Sequence, residues 1–131
     1  MLQKKDLYGA WHTHVDDAAS NGMALLVLDP AGTATDVLML KSQGTLEKIV
    51  QKSSWSYDAE RNLFEQTVTE ISTEKATSVA VVTHPHETIR ASISLVKLGD
   101  DVIGIKFTKD NGEVMGYRKV GDAMREALLG K

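Results

Sequence analysis

Residues 24–40, Ala-Leu-Leu-Val-Leu-Asp-Pro-Ala-Gly-Thr-Ala-Thr-Asp-Val-Leu-Met-Leu, hold the pattern that decides the fold. The segment Ala24 to Asp29 runs into Asp29-Pro30-Ala31-Gly32, with proline at the second turn position, where its fixed φ suits a type I or II turn. Thr33 to Leu40 leaves that turn as a second extended segment. Two strands joined so tightly are antiparallel, because a parallel pair needs a crossover of about a dozen residues or more.

The same punctuation recurs along the chain. Tyr8 to Val15 precedes the hairpin. Lys48 to Tyr57 follows it and is separated from Leu63 to Ile71 by Asp58-Ala59-Glu60-Arg61-Asn62. Thr77 to Thr83 and Thr88 to Leu98 flank His84-Pro85-His86. Val102 to Thr108 and Val114 to Val120 are set off by Gly99-Asp100-Asp101 and Lys109-Asp110-Asn111-Gly112. That makes about nine extended segments in series. Only the ends read as helical. Residues 2–7 suit a single turn, and Asp122 is an N-cap for Ala123 to Leu129, with Gly130 as the stop and Met124, Ala127 and Leu128 on one face. No repeat or linker divides the chain, so residues 1–131 read as one domain.

A meander of eight or nine strands hides its edges by closing into an up-and-down barrel or by folding into a two-sheet sandwich. Nearest-neighbour hairpins favour the barrel, and the longest irregular stretch, Asp16 to Met23, is short for a link across a sandwich. The expected fold is therefore all-β: an antiparallel meander closed into a barrel of 8–9 strands, with a short C-terminal helix.

Composition bounds the function. In 131 residues, 42% are hydrophobic, 25% are charged and none is cysteine, which excludes a disordered chain and a disulfide scaffold. Fifteen basic against eighteen acidic residues give a net charge of −3, which argues against a nucleic-acid footprint. The opening MLQKKDLYGAW lacks the apolar core of a signal peptide. The apolar run Ala24 to Leu28 falls far short of the ~20 residues of a membrane helix. The expectation is a cytoplasmic chain with no membrane insertion.

Leu7, Gly9 and Trp11 form an L-x-G-x-W at the start of the first strand, which resembles the G-x-W signature of the lipocalins and their wider barrel superfamily. The resemblance implies that Trp11 plugs one end of the barrel and that a basic residue near the end of the chain packs over the indole. In the last strand, Met115-Gly116-Tyr117-Arg118-Lys119-Val120, Arg118 is the matching candidate and Lys119 the second. It also implies a binder of small apolar molecules rather than an enzyme.

Other residues suggest chemistry of their own. All four histidines fall in two H-x-H pairs, His12/His14 and His84/His86. On a strand, positions i and i+2 share a face, so one pair can reach one metal ion. If Trp11 points inward, however, His12 and His14 point outward, and Pro85 places the second pair in a turn or at an edge. Trp55 and Tyr57 share a strand face, as do Met115 and Tyr117. With Phe107 they are the expected lining of a cavity for an apolar ligand with a polar handle. Arg90, Ser92 and Ser94 share a face and suit either a polar lumen or the solvent side. The nucleophile elbow, the phosphate-binding glycine loop and the H-E-x-x-H motif are all missing, so neither a catalytic residue nor a cofactor is expected.

The sequence thus points to a binding protein for a small hydrophobic or amphipathic molecule. The alternatives are a filled barrel acting as a protein-interaction module of the inhibitor or immunity type, and a metal-dependent enzyme using one H-x-H pair. A homodimer through a strand edge is compatible with all three.

Overall fold

The computed structural model describes residues 2–16, 21–42, 45–75, 78–83 and 87–120. His84, His86 and the segment expected to form the C-terminal helix lie outside these residues. After a single 3-10 turn at Lys4–Leu7 come nine strands: β1 (Gly9–Asp16), β2 (Asn21–Leu28), β3 (Thr33–Ser42), β4 (Thr45–Asp58), β5 (Leu63–Lys75), β6 (Ser78–Thr83), β7 (Thr88–Leu98), β8 (Asp101–Lys109) and β9 (Val114–Lys119). Every pairing is antiparallel.

The sheet runs β4-β3-β2-β1-β9-β8-β7-β5-β6, and a further β4–β5 pairing closes it into a barrel. The ring has eight staves rather than nine, because β6 and β7 share one edge of β5. Glu70 to Lys75 pair with β6, and Phe64 to Thr67 pair with β7. Between the pairs Glu70–Thr83 and Thr67–Thr88, five steps on one side match three on the other, so the chain carries two extra residues there. Residues 84–86 fall in that interval and lie outside the described residues.

Local chemistry makes the hairpins. Gly32 N–H donates to Asp29 O (3.0 Å), Asp29 N–H donates to Thr33 O (2.9 Å), and the Asp29 carboxylate accepts from Ala31 N–H (2.7 Å). Gly32 closes this turn at φ +94°, a conformation that costs glycine little. Further along β2, a Cβ on Gly22 would run into the Met39 carbonyl on β3, so only glycine admits that close approach.

One end of the barrel is filled. Trp11, Phe64, Leu7, Leu28 and Ile105 are fully buried there, with Ala34 and Ile93 beside them. Leu7 comes from the 3-10 turn, which lies across this end and accepts a 3.0 Å hydrogen bond from Trp11 Nε1 at its carbonyl. The turn between β4 and β5 completes the seal. Asn62, at φ +49°, accepts from the Tyr57 hydroxyl (2.6 Å) and from Ile93 N–H (3.2 Å).

The closing seam is short. Among the described residues, β1 and β9 pair only at Trp11–Lys119 and His12–Arg118, followed by Val120 N–H donating to Ala10 O (2.9 Å). Among the described residues, no helix is long and apolar enough to cross a membrane.

Candidate ligand-binding site

Strand parity sorts the side chains. Trp11 and Thr13 of β1 point inward, as do Ala34, Asp36 and Leu38 of β3, Gln51, Ser53 and Trp55 of β4, and Phe64 and Gln66 of β5. In the half of the barrel away from Trp11 these side chains leave a cavity of about 350 Å³. Leu26, Leu38, Ile49, Phe64, Ile89, Phe107 and Met115 make its walls mostly apolar.

Three of its polar side chains, Asp36, Gln51 and Gln66, form one connected set with Ser53. Asp36 accepts from Gln66 Nε2 (2.7 Å) and Gln51 Nε2 (3.2 Å), both at Oδ2. Gln66 Nε2 also donates to Ser53 Oγ (3.0 Å), and Gln66 and Ser53 are themselves buried. Burial pushes the Asp36 carboxyl above the ordinary aspartate range, and the two amide donors oppose that rise without cancelling it. Tyr117, also on the cavity wall, is pushed up to about 12 by burial and then by the charge of Asp36. Lys109 is the second charged residue of the lining, and its ammonium lies 3.6 Å from the Glu113 carboxylate in the β8–β9 turn.

Phe107, Met115 and Tyr117 line the cavity. Trp55 and Tyr57 do not. Trp55 donates from Nε1 to Asp29 O (3.0 Å), stacks on Phe64 at 6.1 Å, meets Tyr8 edge-on, and carries Lys4 Nζ 5.0 Å from its ring. Tyr57 is spent on Asn62. Both sit one and two inward positions nearer the closed end than Ser53, so they build the floor.

The basic residue over Trp11 is also corrected. Lys119 places Nζ 5.9 Å from the Trp11 ring, whereas Arg118 pairs with His12 on the outer face. Residues directly opposite in an antiparallel pair share a face, so register selects Lys119. Arg90, Ser92 and Ser94 are exposed, and Arg90 contacts Glu65 at 3.1 Å, so this face looks to solvent.

Compared with family models, curated proteins and solved structures, the chain matches none. The site is therefore read from its own geometry.

That geometry puts His12 and His14 on the outer surface, their rings 6.3 Å apart and edge-on. His12 Nδ1 is cut off from water with no hydrogen-bond partner. Burial, with His14 and Arg118 nearby, holds this imidazole below its ordinary range. Among the described residues, no three His, Asp or Glu side chains are grouped to hold a metal ion. A guanidinium beside His12 also opposes a cation there. Large exposed apolar side chains among the described residues, Leu46, Leu98, Ile103 and Val114, lie on four different strands.

Sequence reasoning missed Asp36, Gln51 and Gln66. The available signal was the inward row Ala34-Asp36-Leu38-Leu40, in which one acid interrupts an apolar face.

Proposed function

We propose that this barrel binds a small, largely apolar molecule in its lumen, the role that its resemblance to the lipocalins implies. The observation that carries the reading is the 350 Å³ cavity in a closed barrel, apolar on most sides, with the Asp36 cluster, Thr13, Tyr117 and Lys109 as its polar groups. Its volume falls within the ~300–1,000 Å³ of small-molecule sites, and the split between apolar walls and a few convergent polar groups is typical of them. The floor of Trp11, Leu7 and Leu28 makes the lumen blind at one end.

The test is a titration with N-phenyl-1-naphthylamine, a neutral dye whose emission rises and shifts to the blue in apolar surroundings. Saturable binding near one dye per chain is expected. Ala91→Trp, which adds an indole to the cavity wall, should abolish it while the fold is retained by circular dichroism. No saturable signal from the wild-type protein would overturn the proposal.

A further inference from the structure

Resting on that reading, we propose that the molecule bound in the lumen carries a cationic ammonium group, held by Asp36. The carboxylate is set in a mostly apolar lining, and its two protein donors, Gln51 and Gln66, are neutral amides. Amides satisfy lone pairs without neutralising charge, and a buried carboxylate is costly unless a counter-charge meets it. Both amides also converge on Oδ2, leaving Oδ1 without a partner among the described residues. The arrangement fixes the carboxyl in one orientation and leaves one oxygen available to a guest.

The other groups of the lining fit this assignment. Tyr117 holds its proton firmly, so its hydroxyl brings no charge to the cavity. The Lys109 ammonium already faces Glu113, 3.6 Å away in the turn between β8 and β9. Asp36 is thus the charged group of the lining that lacks an opposite charge among the described residues. Leu38, Ile49, Phe107 and Met115 offer the guest's hydrocarbon part an apolar wall. The ligand class is an amphipathic amine: a hydrocarbon body with a primary or substituted ammonium head.

The experiment displaces the neutral dye with three probes of equal chain length, octylammonium, octanol and octanoate, at pH 7.5. Octylammonium should displace it at a concentration about tenfold or more below octanoate, as a charge-assisted hydrogen bond to Asp36 requires. Its advantage should shrink as pH falls and Asp36 takes up a proton, while the amine keeps its charge. Asp36→Asn should erase the preference for octylammonium over octanoate. The wild-type comparison needs no variant, so the proposal stays falsifiable if Asp36→Asn fails to fold. Dye binding with equal displacement by octylammonium and octanoate overturns this inference alone, and a preference for octanoate assigns the head group to Lys109 instead. Absence of any dye or octyl binding overturns the ligand-binding reading itself.

Discussion

Gln66 on β5 reaches past the intervening β4 to hydrogen-bond Asp36 on β3, 2.7 Å from Nε2 to Oδ2. Ser53 of β4 accepts from the same nitrogen (3.0 Å), so one amide ties three consecutive staves together inside the lumen. A half-satisfied polar cluster in an apolar interior is worse than none, because each unpaired group retains its full desolvation cost. Here both amides converge on Asp36 Oδ2 and Ser53 shares the Gln66 nitrogen, so Oδ1 alone is left without a partner among the described residues.

Replacing Gln66 by Leu keeps the side chain's approximate size and removes the central donor. Asp36 then keeps only the longer bond from Gln51, and Ser53 loses its partner. The expected loss is about 1–3 kcal/mol, read as a lower urea midpoint with an unchanged slope. Carbon-detected NMR should show the Asp36 carboxyl titrating at higher pH than in wild type. Unchanged stability and titration would show that the amide does not support the acid.

The raised pKa of Asp36 sets the sign of its pH dependence. An acid whose folded pKa exceeds its unfolded one binds more protons in the native state, so its contribution is present at low pH and lost as pH rises through the folded value. The asparagine carbonyl introduced by Asp36→Asn would accept from both amides as the carboxyl oxygen does, but without ionising. Asp36→Asn should therefore match wild type near pH 4 and become progressively more stable than wild type toward pH 8. Paired urea denaturations across that range measure the difference. A difference that is constant with pH, or that grows toward acid, would overturn the assignment of burial as the dominant influence.

The barrel was readable from the hairpins because each turn carries its own local signature. Asp29-Pro30-Ala31-Gly32 and Lys109-Asp110-Asn111-Gly112 close with the same bonding pattern, each with glycine at positive φ. The site was not readable, for a different reason. On β3 both faces are apolar, with Val37 and Met39 outward and Leu38 inward, so alternation alone could not say which way Asp36 points. Val37 packs against an outer cluster of Ala10, Leu25 and Val120, and that second small core hides the polarity signal. Trp55 and Tyr57 share the inward face that period-two alternation predicts, but they lie in the floor and not on the cavity wall. Face follows from parity, whereas depth depends on the stagger of the staves, which includes the register shift between Lys52 and Ser53.

The closed end offers a test of register against motif. Lys119 lies 5.9 Å from the Trp11 ring, and Arg118 faces away from it. A double-mutant cycle between Trp11→Phe and Lys119→Ala should give a coupling of about 0.5–1 kcal/mol, and the same cycle with Arg118→Ala a coupling near zero. Chemical denaturation of the four proteins in each cycle supplies the values. A larger coupling to Arg118 than to Lys119 would mean that β9 sits one residue out of the register described above.

The short seam makes a prediction about backbone protection. Val120 N–H donates to Ala10 O, so the even-numbered residues of β1 turn their backbone groups toward β9, and the odd-numbered ones turn theirs toward β2. Thr13 and Val15 are paired through β2 with Ala24 and Gly22. His14, two residues beyond the last β1–β9 pair, presents its N–H to a position where β9 is no longer paired. Thr13 of β1 and Tyr117 of β9 border both the lumen and an outer groove at this point, so the two strands separate where the pairing stops. Amide exchange monitored by NMR should therefore alternate along β1: His14 should exchange at least about tenfold faster than Thr13 and Val15, while His12, paired with Arg118, remains protected. Equal protection at residues 12–15 would mean that the ladder runs on past His12 and that the barrel is zipped along its whole height.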